Sequence, residues 1–184
     1  MNKYIATDTE TGGIGPEFSL LTAYFAVLDE NFNFISDLDL KLKHDVYHIT
    51  PEAMAINKID LIEHDKVAIH KSEAGQLLRN FLIENSNKGE VKLIPLGHGI
   101  AFDVNVIWNG LLGRAQFETY CSYRRLCTAV IAQYLKDMKV IPDNVSGSLS
   151  SLAEYYGLST AHVHDAKFDT MLSVDIYRKM LGRY

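Results

Sequence analysis

Up to residue 50 this chain is patterned for strands, and from Pro51 it is patterned for helices. That change of period restricts the fold more than any other feature of the sequence. Tyr4 to Thr9 reads as a first strand, and Gly12-Gly13 breaks it. Leu20 to Leu28 is apolar and partly aromatic or β-branched, Glu30-Asn31 marks a turn, and Phe34 to Leu42 alternates in part. Three such runs joined by short breaks predict an antiparallel meander. Beyond it, Pro51 to Ala55 predicts a short helix with proline in its first turn. Ala68 to Glu84 predicts a longer helix with Leu77, Leu78, Phe81 and Leu82 on its apolar side. Val91 to Leu96 predicts a buried strand. Helices are predicted over Ala101–Leu112, Thr128–Lys139 and Ser148–Tyr156, and Phe168, Leu172, Ile176 and Met180 stripe a last one. Hairpin strands followed by helices alternating with a strand specify an α/β fold, a mixed sheet covered by helices. No linker-like stretch divides the sequence, so its 184 residues are expected to form one domain, 1–184.

Composition narrows the setting. The chain is 47% hydrophobic and 22% charged, and no run approaches the roughly 18 apolar residues of a membrane span. Met1 leads directly into the first strand, without the basic and apolar regions of a signal peptide. The two cysteines, Cys121 and Cys127, make no disulfide framework, so a cytoplasmic setting without a membrane partner is expected. The formal net charge of −5 excludes extensive wrapping of duplex DNA more firmly than it excludes gripping a short strand end. Two divalent cations would offset four of those five charges.

Three separated segments carry the chemistry. Asp8-Thr9-Glu10 closes the first strand, where alternate residues share a face. Asp8 and Glu10 therefore stand side by side while Thr7 and Thr9 face away. Like charges brought this close call for a cation between them. By itself the tripeptide is equally a polar strand end entering a turn. Asp103 follows a buried strand and opens a helix, where the helix dipole alone would favour a carboxylate. The nearby Gly97-x-Gly99 is no dinucleotide loop, since Phe102 stands where a third glycine would be needed. His164 and Asp169 are five residues apart, which on one helix is about 140° of rotation. The pair converges only if His164 lies on a loop and Asp169 on the first turns of the helix that follows. Four carboxylates and a histidine suit two-metal phosphoryl transfer: hard cations take oxygen ligands, and an imidazole can accept a proton from water near neutrality.

At these residues the sequence resembles the DEDD family of 3′–5′ exonucleases, the DnaQ-like enzymes, in its histidine-bearing branch. The first family motif appears as Asp8-Thr9-Glu10-Thr11-Gly12, the second as His98 with Phe102-Asp103, and the third as His164 to Asp169. The segment Ser148 to Leu158 is similar to the helix that precedes the third motif in relatives, and the resemblance runs from Tyr4 to Leu181. It implies an RNase H-like fold with a five-stranded mixed sheet flanked by helices. It implies that Asp8, Glu10, Asp103 and Asp169 hold two Mg²⁺ or Mn²⁺ ions, and that His164 is the general base that releases nucleoside 5′-monophosphates. Substrate contacts would come from backbone at Thr11 and Gly12, from His98, and from an apolar wedge such as Ile59. Gly99 stands where relatives often carry Asn, and Lys58 where they often carry glycine after the first short helix.

The expected partner is the 3′ end of a single strand, DNA ahead of RNA. A second copy of the chain or a polymerase stays open as a companion. An exoribonuclease, a non-catalytic nucleic-acid-binding module on the same fold and a nucleotide phosphatase are the alternatives. All four acidic positions are filled, which weighs against the non-catalytic module. His44 and His48, four apart with Asp45 between, lack a third ligand and read as surface histidines rather than a zinc site. Arg124-Arg125 reads either as a solvated pair or as a phosphate contact, and Trp108 as core.

Overall fold

The computed structural model describes residues 2–182, so the outermost residues of the expected 1–184 domain, 1, 183 and 184, lie outside it. Three long strands come first: β1 (Lys3–Thr11), β2 (Leu20–Leu28) and β3 (Phe34–Lys43). They pair antiparallel in sequence, as the meander predicted. Helices α1 (Pro51–Asn57) and α2 (Leu61–Val67) lead to a two-residue strand β4 (Ile69–His70), then α3 (Lys71–Asn85) and β5 (Leu93–Gly97). The remainder is α4 (Ala101–Gly110), α5 (Arg114–Tyr120), a two-residue strand β6 (Leu126–Cys127), α6 (Thr128–Asp137), α7 (Leu149–Tyr155) and α8 (Ala166–Met180).

The sheet has the order β4-β3-β2-β1-β5-β6. β5 runs parallel to β1, and β6 parallel to β5, which makes the sheet mixed. It holds six strands where five were expected, because Ile69-His70 adds a short parallel rung beside Leu42-Lys43 at one edge. The same rung corrects the predicted helix Ala68–Glu84, which begins only at Lys71. Two short helices were absent from the sequence reading. α2 has an exposed Ile62 and Val67 and no apolar stripe, and Asp60 caps it by accepting from the amides of Ile62 and Glu63. α5 buries only Phe117 and Tyr120.

β2 is buried on both faces. Its odd residues Ala23, Phe25 and Val27 join Ile5, Leu40 and Leu42 of the sheet against Leu78 and Leu82 of α3, Ile107 of α4 and Phe117 of α5. Its even residues Tyr24, Ala26 and Leu28 join Ala6 and Leu96 against Ala166 and Val174 of α8. The same parity extends along β1. Odd residues look toward α4, and even residues, Asp8 and Glu10 among them, look toward α8. Cys121 is buried, Cys127 is half-buried, and both are free thiols. Among the described residues no helix is long and apolar enough to cross a membrane.

Candidate active site

The end of β1 is where elements from three parts of the chain meet. α8 packs across β1 and β2 and carries Asp169 in its first turn, with Asp165 as N-cap accepting from the amide of Phe168. One carboxylate oxygen each from Asp8, Glu10 and Asp169 lie within 4.8 Å of one another. Asp103 arrives from the opposite face of the sheet. It is 3% exposed, and its Oδ1 accepts from both the amide (3.0 Å) and the hydroxyl (2.8 Å) of Thr9. Thr9, which faces away from Asp8 and Glu10 on the strand, thus anchors the fourth acid beside them.

Charge at this point is costly without a counterion. Burial raises the pKa of Asp8 well above its ordinary value, and the charges of Asp103, Glu10 and Asp169 raise it further. Glu10 is pushed up to about 8 by burial and then by Asp169. Asp103 is raised by burial in spite of the Thr9 donors. Asp169 is raised by burial as well, opposed by the His164 amide and the charge of that histidine. Among the described residues Asp169 Oδ1 is buried without a hydrogen-bond partner, an uncommon condition for a carboxylate. All the donors are oxygens. A hard divalent cation fits such a set, and Mg²⁺ or Mn²⁺ suits it better than a thiolate- or imidazole-seeking metal.

His164 lies on the loop before α8, as the five-residue spacing required. Its backbone has φ 76°, the left-handed region, and its amide donates to Asp169 Oδ2 at 3.0 Å. The side chain is exposed.

The other expected contacts fall unevenly. Thr11, next to Glu10 in the chain, and Phe102, next to Asp103, line a cleft of about 480 Å³, though none of the four carboxylates lines it. Gly12 does not reach it with free backbone: its amide donates to Ser19 O and its carbonyl accepts from Thr50 N. A Cβ there would sit 2.3 Å from His48 O, so this glycine is needed for close packing of the loop before α1. Ile59 is half-buried between α1 and α2 and does not line the cleft. His98 Nδ1 is 2.9 Å from the Thr128 hydroxyl, and burial lowers the pKa of the ring. The apolar walls are instead Ile14, Phe18 and Phe102, with Asn105 and Asn109 from α4 adding amides. Phe102 was within reach of the sequence, being next to Asp103 and 40% exposed on a helix. His44, read as a surface histidine, joins the wall while its Nε2 lies 2.7 Å from Leu20 O. Arg125 stacks on Trp108 and Arg124 on Tyr123, so both are held on aromatic faces.

No protein-family model matches the chain, and no curated protein does. Solved structures do match. One is E. coli exonuclease I in complex with a dT13 oligonucleotide, at TM-score 0.82 and 16% identity, covering 100% of this chain and 42% of that one. This chain has the exonuclease I fold. A complex of E. coli exonuclease I with a dA16 oligonucleotide gives TM-score 0.80 at 20% identity, covering 100% of this chain and 41% of that one. The zinc-bound form of the exonuclease I–ssDNA complex gives 0.78 at 17%, covering 97% and 40%. The fold is thus RNase H-like, and this chain spans about two-fifths of the length of the exonuclease I chains it matches.

Proposed function

We propose that this chain is a 3′–5′ exonuclease that shortens single-stranded DNA with Mg²⁺ or Mn²⁺ and releases nucleoside 5′-monophosphates. One observation carries the reading: Asp8, Glu10 and Asp169, from opposite ends of the sequence, bring ligand oxygens within 4.8 Å of one another. The exonuclease I fold and the ordered motifs support it. The oligonucleotides in those exonuclease I complexes are DNA, which favours DNA over RNA.

In this reading Asp8, Glu10, Asp103 and Asp169 hold two divalent ions. Such ions, when bound, stabilise charge on the attacking and leaving oxygens of an in-line displacement. The chain's own residues do the rest. Thr9 fixes the rotamer of Asp103, and the His164 amide fixes that of Asp169, so both carboxylates are preorganised. The His164 ring, exposed on its loop, takes the proton of the attacking water. Phe18 and Phe102 offer apolar faces to the terminal base, and Asn105 and Asn109 offer amide groups to its edge or sugar.

The test uses 5′-labelled DNA and RNA strands of equal sequence, with Mg²⁺ and with chelator. The expected result is a ladder that shortens from the 3′ end of the DNA with Mg²⁺ alone. Faster shortening of RNA would move the substrate assignment to an exoribonuclease. Intact strands under every divalent ion would overturn the reading.

A further inference from the structure

The cleft walled by Thr11 and Phe102 does not end at Lys71. That residue also lines a second concavity of about 350 Å³ on the far side, between the start of α3 and the turn joining α4 to α5. The two hollows are consecutive along one surface, with Lys71 as the saddle. Its Nζ donates to Asn109 O at 3.3 Å and keeps further donors for a ligand.

The chain holds 23 Asp and Glu residues, yet none of them lines either hollow. The second hollow carries His70, Lys71 and Arg79 instead. Lys71, Gly75 and Arg79 recur at every fourth position, so α3 turns one face to this surface. Gly75 forms the floor. A Cβ there would stand 2.8 Å from Leu111 O, so the glycine lets the α4–α5 turn lie against the helix and sets the depth of the hollow. Among the described residues the Arg79 Nε is buried without a hydrogen-bond partner, and Arg79 forms no ion pair. A half-buried guanidinium with an unused donor, no ion pair and no acid in the wall beside it can take an anion.

We infer that Lys71 and Arg79 bind backbone phosphates of the strand on the 5′ side of the nucleotide being removed, extending the substrate site along α3. This rests on the exonuclease reading for the direction of the strand, but not for the groove's chemistry. Charge complementarity selects the occupant: a polyanion with regularly spaced phosphates, held on cationic groups along one helix face. The resulting basic track also explains how a chain of net charge −5 can hold nucleic acid, since Lys71 and Arg79 lie on a surface that no carboxylate lines.

The experiment measures binding of 5′-fluorescein-labelled oligodeoxythymidylates of 3 and 10 nucleotides by anisotropy, in chelator so that no cleavage occurs, across a salt series. Lys71→Glu changes an exposed side chain, and Arg79→Lys keeps a cation while removing the fork. Arg79→Gln removes the charge, and its folding is checked by circular dichroism. The parent is expected to bind the 10-mer more tightly than the 3-mer. Lys71→Glu and Arg79→Gln should each weaken the 10-mer on the order of tenfold and erase much of that gain with length. Removing one phosphate contact should lower the slope of log K against log salt by about 0.7, and Arg79→Lys should retain most of the slope. A parent that binds no strand, or variants with the parent's length gain and salt slope, would overturn the groove. A parent that binds as described yet never shortens DNA with Mg²⁺ would leave the groove standing and overturn the exonuclease reading, so the two fail separately.

Discussion

Glu10 shows how far the site departs from ordinary carboxylate behaviour. Its pKa rises from 4.5 to about 8, chiefly through burial, and Asp8 moves the same way. A folded state that binds protons more tightly than the unfolded chain loses stability as pH rises. In chelator, the protein is therefore expected to become less stable from about pH 4.5 up to about 8, the span over which the contribution of Glu10 is lost. Chemical denaturation at several pH values measures it, and a flat or rising profile over that window would contradict the burial of these acids. Asp8→Asn should make the profile shallower in chelator, leaving the Glu10 part, while removing activity with Mg²⁺. For His164, replacement by alanine is expected to slow cleavage roughly 10²–10⁴-fold, the usual contribution of a general base. An unchanged single-turnover rate would take the ring out of the mechanism. The gathering of Asp8, Glu10 and Asp169 was legible in the sequence because strand parity and a loop-to-helix step decide where they point. The cleft walls were not, since Ile14, Phe18 and Asn105 gain meaning only when the segment before β2 folds against α4.

Among the elements, α1 carries the clearest local conflict. It ends at Lys58 with φ 57° and ψ 24°, a left-handed cap whose amide donates to Met54 O. Glycine is the residue that adopts this conformation without a Cβ clash, and glycine is what the resembling family often carries there. Lys58→Gly is expected to raise stability by about 0.5–1 kcal/mol, read as a higher denaturation midpoint at constant slope. A lower midpoint would mean that the lysine side chain makes a compensating contact. Elements with a strong period were readable: the bounds of β2 were predicted as observed, and α8 announced itself by its stripe. α2 and α5 were not, because seven-residue helices with two or fewer apolar anchors carry too little pattern. The rung Ile69-His70 was hidden as well, since two residues paired to a distant strand leave no local trace.

At the scale of the molecule, the proposed ligands lie at positions 8, 10, 103 and 169, on β1, α4 and α8. Cation binding by these residues would fasten the first strand to the last helix across the sheet. A ligand that binds only the folded chain stabilises it by about 2.7 kcal/mol at a hundredfold excess over Kd. Mg²⁺ is expected to raise the midpoint of one cooperative calorimetric transition, as the single-domain reading requires. Two transitions, with only one responding to Mg²⁺, would divide the chain into separate units. The mixed topology followed from the order of periods in the sequence. The choice of strand neighbours did not, because the parallel pairing of β5 with β1 is fixed by how α3 and α4 cover one face while α8 covers the other.

The amide of His164 rests on Asp169 Oδ2, and Asp169 Oδ1 is left over for a cation. One carboxylate thus has a hand on the histidine's backbone and another among the clustered acids. Loss or protonation of that acid would slacken the loop and empty a coordination position in the same event. Variants at 169 consequently report two failures as one number. Glu10, which no hydrogen bond ties to the loop, is the position from which the ionic contribution can be read alone.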